Sequence, residues 1–175
     1  KTDGVVEMNS KYEISTKENR EFLKASCEEL LNFGHRFPSP NGGSYYLGDD
    51  GTPWKDRNRE TWITCRMAHV YSLGLMLGHE GSGELADAAL KGLKGELHDE
   101  KNGGWYAGVT PEGDIVPNKQ CYAHAFVILA ASSALTAGRP GAKELLEEAL
   151  AVYDRHFWNE EEGLACDTWN TEFTV

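Results

Sequence analysis

The chain has no paired-cysteine motif, no histidine pair at metal-ligand spacing, no membrane-length apolar run and no cluster of basic residues. Each absence excludes something. Cys27, Cys65, Cys121 and Cys166 lie far apart, with neither a C-x-x-C pair nor a zinc-type spacing, and Cys65 and Cys121 fall within apolar helical patterns. Buried reduced thiols are therefore expected ahead of metal ligands or disulfides. His35, His69, His79, His98, His124 and His156 form no H-x-x-x-H and no H-E-x-x-H, so no metal site is expected. No apolar run approaches the roughly 20 residues that span a bilayer, and the opening residues lack the apolar core of a secretory signal, which reads as a cytoplasmic chain. A net charge of −11 would repel nucleic acid and anionic membranes. The partner to expect is a small soluble molecule or a protein.

Against these absences stands a repeat of about sixty residues. Gly42-Gly43-Ser44-Tyr45-Tyr46 runs into Asp49-Asp50-Gly51, and 61 positions later Gly103-Gly104-Trp105-Tyr106 runs into Pro111-Glu112-Gly113. A weaker third copy, Glu161-Glu162-Gly163-Leu164, places its glycine 60 positions after Gly103. A helical pattern follows each of the first two copies, with Trp62 and Tyr122 60 apart within them. The chain reads as a stack of helical hairpins.

Five helices are expected. The first runs from Thr16 to Phe33, with Ser15 or Thr16 as N-cap, Phe22, Leu23, Leu30 and Leu31 as its apolar face, and Gly34 just past its end. Residues 35–57 suggest a short hairpin turning at Asp49-Asp50-Gly51. The second helix, 58–77, carries Trp62, Cys65, Met67, His69, Val70, Leu73 and Leu77, apolar nearly all round and so buried on more than one face. The third, 82–97, contains Gly92 and Gly95, each costing roughly 1 kcal/mol against alanine and implying tight packing. A second hairpin spans 103–116, with Pro117 as its stop. The fourth helix, 119–137, is again apolar all round and ends at Gly138, while the fifth, 142–156, is amphipathic. Alternation of all-round apolar helices with polar-faced ones is the pattern of an inner and an outer ring, an α/α toroid. Residues 1–15 are read as an N-terminal tail, the first seven as a vector remnant or a processed segment. Residues 16–175 are read as the barrel domain.

Trp62, Arg66 and His69 are spaced i, i+4, i+7 and so share one helical stripe. In a toroid this end of an inner helix opens on the central cavity. Trp62 could stack on the apolar face of a sugar ring and Arg66 could donate paired hydrogen bonds to its oxygens. The simpler reading makes Trp62 core and pairs Arg66 with a buried carboxylate such as Glu60. Tyr122, equivalent to Trp62, should line the same cavity, and His124 should point elsewhere. For His69 and His124 a hydrogen-bonded core histidine is expected ahead of a catalytic base. Tyr45-Tyr46 and Trp105-Tyr106 are either hairpin packing, the favoured reading, or a sugar-stacking platform. Glu160-Glu161-Glu162 reads as a solvated turn.

The segment from Glu60 to Tyr71, Gly103-Gly104-Trp105-Tyr106, the run from Lys119 to His124 and the run from Phe157 to Glu162 together resemble the N-acylglucosamine 2-epimerase superfamily. Within it they are most similar to the aldose-ketose isomerase branch of mannose-isomerase and sulfoquinovose-isomerase type. The resemblance extends from about residue 25 onward. It implies an all-α fold, the N-terminal part of an (α/α)6 barrel with short β-hairpins in its connections. It also implies a hexose pocket that needs no cofactor, and isomerisation through a cis-enediol with histidines moving the protons. Trp62, Arg66 and Tyr122 match the family's substrate-binding residues, and Arg66 would stabilise enediolate charge or bind a sulfonate.

Six units of about sixty residues would need roughly 360, and the resemblance implies that the acid/base histidines lie downstream of Val175. An open arc of helices would also expose apolar flanks. The remainder of the barrel, a complementary chain or another copy of this chain is expected to cover them. Two readings compete with the isomerase. One is a 2-epimerase acting on N-acylglucosamine or cellobiose, and the other a non-catalytic carbohydrate-binding or assembly module.

Overall fold

A computed structural model describes residues 10–174. Residues 1–9 and 175, and with them the expectation for the first seven residues, lie outside the described residues. A single 3-10 turn, Ser10–Tyr12, leads into α1, Lys17–Gly34. Thr16 caps α1, its hydroxyl accepting the Asn19 N–H at 3.1 Å. A hairpin follows, β1 (Tyr46–Leu47) with β2 (Pro53–Trp54), and then β3 (Arg59–Glu60) runs directly into α2, Thr61–Met76. After α3, Ser82–Leu93, the arrangement recurs as β4 (Gly108–Val109), β5 (Ile115–Val116), β6 (Lys119–Gln120) and α4, Cys121–Thr136. Helix α5, Ala142–Val152, continues into a π-turn over Tyr153–Phe157. The hairpin β7 (Trp158–Asn159) with β8 (Leu164–Ala165) and strand β9 (Thr168–Trp169) complete the described chain.

The helices form two layers. Inner helices α2 and α4 pack on each other, α3 covers α2, and α5 covers α4. Small residues make the close approaches: Ala68, Ala86, Ala89, Ala123, Ala130, Ala131 and Ala134 are all fully buried. Gly92 is in backbone contact with the first hairpin, where a Cβ would meet the Gly43 nitrogen at 2.3 Å. That contact explains a glycine in the middle of a helical pattern. Gly95 differs from expectation, since α3 ends at Leu93 and Gly95 lies in the turn beyond it.

The repeat is a true structural one. Strand β3 pairs antiparallel with β4 of the next unit, Arg59 opposite Val109, and β6 pairs with β9 in the same register, Lys119 opposite Trp169. Each unit therefore completes the sheet of the unit before it, through the hairpin strand β4 in one case and through β9, which follows the β7–β8 hairpin, in the other. In all three copies a buried apolar residue offers its carbonyl to the hairpin's returning strand: Phe37 to Tyr45 (2.9 Å), Leu97 to Tyr106 (3.0 Å) and Phe157 to Cys166 (2.7 Å). The turn between is closed by Gly42, Gly103 and Gly163, whose N–H groups donate to Ser39, Asp99 and Asn159. All three glycines have positive φ, which any side chain would resist.

Buried cations brace two of these turns. Arg59 donates to the Gly42 carbonyl (3.0 Å) and Lys119 to that of Gly103 (2.6 Å). Lys119 also meets Asp99 Oδ2 at 2.8 Å, with both side chains excluded from solvent. Arg59 lies 2.7 Å from Glu96 Oε2, off the hydrogen-bonding axis. Burial draws the Lys119 ammonium downward, against the pull of Asp99. Burial would raise Asp99, but hydrogen bonds from Lys119 and Asn102 prevail and hold it well below the carboxylate range.

Several burial expectations are corrected. On α1 only Leu31 of the four predicted apolar residues is buried, and Leu30 is 71% exposed. The cause is that α1 touches α2 along one edge only. Gly34 ends α1 without adopting positive φ; it is glycine because a Cβ would strike the Tyr71 hydroxyl at 2.5 Å. On α2, Val70 and Leu73 are exposed, as is Leu77 just past its end, because that helix buries its small-residue face. With Leu30, Phe33, Ile63 and Met67, Val70 lines an apolar groove of about 300 Å³ between α1 and α2. All four cysteines are free, but only Cys65 is buried. The other three sit at the edges of packed elements and are half-buried.

Candidate functional site

Trp62, Arg66 and Tyr122 come together at one end of the inner layer. The strands fix where each begins: β3 delivers Trp62 to the second position of α2, and β6 delivers Tyr122 to the second position of α4. With the two helices packed side by side, the rings of Trp62 and Tyr122 meet at 6.0 Å between centroids, inclined by 61°. Arg66, one turn below Trp62, lies 4.8 Å from the Trp62 ring and 5.1 Å from that of Phe126. Its Nη2 donates to the Tyr122 hydroxyl over a long 3.4 Å.

The pairing of Arg66 with Glu60 is not found. Among the described residues no carboxylate comes within ion-pair distance of this guanidinium, which is held by aromatic faces and open to solvent. Glu60 is engaged elsewhere. Its Oε2 accepts Trp62 Nε1–H at 3.1 Å and also the Tyr46 hydroxyl. Burial, then the hydrogen bond to Glu60, push the Tyr46 phenol far above its ordinary value, so it remains a donor. Tyr46, Arg57, Asn58 and Glu60 line a depression of about 450 Å³ beside the cluster.

Tyr46 thus leaves the hairpin-packing role expected for Tyr45-Tyr46, whereas Trp105 takes it fully. Trp105 is buried, with its indole N–H on the Leu93 carbonyl at 2.7 Å. Phe126, which the sequence marks only as part of the apolar fourth helix, joins the cluster. A signal existed, since Phe126 stands 60 positions after Arg66 and four after Tyr122, on the stripe already identified.

The histidines are all engaged away from this cluster. His124 is buried, with Nδ1 on the Gln120 carbonyl at 2.8 Å and Nε2 accepting the Trp105 N–H at 3.1 Å. Burial pushes it down to about 4. It is a neutral core histidine, as expected. His69 is half-buried between the inner helices, 2.6 Å from Ser133 Oγ. His98 meets Glu148 at 2.6 Å, His79 meets Ser82, His35 meets Asn32, and His156 stacks on Phe173 at 3.8 Å. Among the described residues no group of three or more His, Cys, Asp or Glu could hold a metal ion, and no helix is long and apolar enough to cross a membrane.

Comparison with known proteins places this geometry. Residues 42–175 match the N-acylglucosamine 2-epimerase (GlcNAc 2-epimerase) family. D-mannose isomerase of Thermobifida fusca is 40% identical over 153 residues, 87% of this chain and 38% of that protein. D-mannose isomerase of Pseudomonas cannabina pv. alisalensis is 34% identical, covering 89% of this chain and 37% of its own length. The chain therefore spans under half the length of the curated relatives it matches. Among solved structures, a D-mannose isomerase superposes with a TM-score of 0.79 at 24% identity, over 89% of this chain and 42% of that one. A cellobiose 2-epimerase from Bacillus thermoamylovorans gives 0.78 at 23%, over 90% and 42%. The fold is the N-terminal part of an (α/α)6 barrel with short hairpins between its helices. The chain belongs to the N-acylglucosamine 2-epimerase family.

Proposed function

We propose that this family member forms the substrate-binding wall of a sugar aldose-ketose isomerase that interconverts mannose and its ketose. The observation that carries the reading is Arg66, a guanidinium set between Trp62 and Phe126 and without a carboxylate partner among the described residues. D-mannose isomerases at 40% and 34% identity support the mannose assignment.

In this reading Trp62 stacks on the apolar face of the sugar, and Tyr122, whose ring touches that of Trp62, extends the same wall. A base removes the C2 proton of the open-chain aldose, and the electron pair moves into a C1–C2 double bond, leaving negative charge on O1. Arg66 stabilises that charge. O1 takes up a proton as O2 gives one up, and return of the base's proton to C1 then gives the ketose. The proton-moving histidines are assigned to sequence following Val175, since those of this chain are engaged elsewhere. A free-sugar substrate and unpaired thiols suit the cytoplasm.

The test is an assay of the protein carrying this chain with the remainder of its barrel, against mannose, sulfoquinovose, N-acetylmannosamine and cellobiose. Conversion of mannose, lost by about 100-fold or more in Arg66→Met with the fold retained, is the expected result. Turnover of sulfoquinovose alone moves the substrate to a sulfonated sugar, and turnover of the acylated sugar or the disaccharide moves the reaction to 2-epimerisation. No turnover with sugar binding retained makes the chain a carbohydrate-binding module. Near-normal kinetics in Arg66→Met assign the arginine a structural role.

A further inference from the structure

Glu60 occupies the N-cap position of α2, where a short polar side chain ordinarily accepts a backbone N–H of the first turn. It makes no such bond. Its backbone is pinned by β-pairing with Gly108, and the strands lie so close that a Cβ on Gly108 would meet the Glu60 Cα at 3.3 Å. From this fixed base the carboxylate reaches sideways, and a single oxygen, Oε2, accepts both Trp62 Nε1–H and the Tyr46 hydroxyl. Tyr46 comes from the hairpin and Trp62 from the inner helix, so this one oxygen ties the two elements at the mouth of the site. The Tyr46 ring meets the Trp62 ring edge-on at 6.4 Å and 70°. The indole is thereby held from one edge by Glu60, from the Tyr46 side by an aromatic contact, and from the Tyr122 side by another. Its face carries Arg66.

From this geometry we infer that Glu60 is a positioning residue of the sugar site, orienting the Trp62 indole on which the sugar stacks. It works from the rim without touching the reacting carbons. Hydrogen bonds to an ionised acceptor are the stronger kind, so a carboxylate is suited to holding an indole that a flexible sugar would otherwise displace. The second unit has no counterpart. There Gln120 stands at the equivalent N-cap and Tyr122, which lacks an indole N–H, at the equivalent ring. Of the two inner helices, only α2, which carries the arginine, has a carboxylate and an indole in these places.

The inference rests on the proposal that Trp62 and Arg66 contact the sugar, and two measurements separate its failure from the failure of that reading. The first is a kinetic cycle in the barrel-complete protein. Glu60→Leu should raise KM by about 10-fold with a much smaller change in kcat, and Glu60→Gln, whose amide oxygen can still accept, should restore most of the loss. In a Trp62→Phe background, where the indole N–H is gone, Glu60→Leu should add less than about 2-fold. An equal KM effect in both backgrounds, or none in either, overturns the role. The second measurement needs no turnover. Among the five tryptophan indole ¹⁵N–H resonances, the one removed by Trp62→Phe should shift upfield and lose exchange protection in Glu60→Leu. An unmoved resonance overturns the inference whatever the substrate proves to be.

Discussion

His124 accepts the backbone N–H of Trp105 at 3.1 Å where, one unit earlier, Thr64 accepts that of Ser44 at 3.0 Å. The two side chains do the same work, anchoring a hairpin to the first turns of an inner helix. A hydroxyl does it without regard to pH. An imidazole does it only when neutral, because Nδ1–H is committed to Gln120 and protonation would turn Nε2 into a donor facing another donor.

The sign of the pH dependence follows. The folded-state value of His124 is about 4, below the ordinary 6.5, so the unfolded chain binds the proton first. Stability from this residue is complete above pH 6.5 and is lost as pH falls toward 4, on the order of 3 kcal/mol in full. Urea titrations at pH 7.5, 5.5 and 4.5 should show that loss. His124→Gln should be less stable at pH 7.5 yet flatter across the range. An unchanged slope in the variant would show that another group titrates.

A second expectation concerns the buried pair Lys119 and Asp99, 2.8 Å apart. Lys119→Met leaves a buried carboxylate without its cation and leaves the Gly103 and Thr171 carbonyls without their donor. The loss should be about 3–5 kcal/mol, and Asp99→Asn should cost less in the Lys119→Met background than alone. Denaturant midpoints of the four proteins in the cycle measure the coupling. Because the Asp99 carboxyl is held below its ordinary value, its contribution is present above about pH 4 and lost in stronger acid.

A third separates close approach from backbone conformation. Gly92→Ala drives a methyl to 2.3 Å from the Gly43 nitrogen, so that one backbone must shift against the other. Gly113→Ala, at φ +95 with open space around it, meets only conformational strain. The first should lower thermal stability by several times the roughly 1 kcal/mol expected of the second. Equal effects would mean that the hairpin can shift away from α3.

Much of this was legible in the chain. The equivalence of Trp62 and Tyr122 could be read from a spacing because each follows its strand by the same two residues, so helical phase is preserved between units. Thr16 was legible because N-capping is local chemistry. What was not legible depends on neighbours. Phe22 and Leu23 look like core on a helical wheel, but α1 has only an edge to pack against. The Tyr46 to Glu60 contact spans a hairpin whose fold decides whether the second tyrosine turns inward or outward. Gly95 falls in register with a helix that Gly92 and the first hairpin have already brought to its end.

The strand pairings between successive units bear on how such a chain acquires its shape. Since β4 completes the sheet begun by β3, and β9 that begun by β6, a unit emerging from the ribosome keeps an open ladder until the pairing strand of the following unit has been synthesised. Growth would then proceed by one-way addition, each arriving unit acting as the latch for its predecessor. A division between β3 and β4, or between β6 and β9, leaves a ladder open.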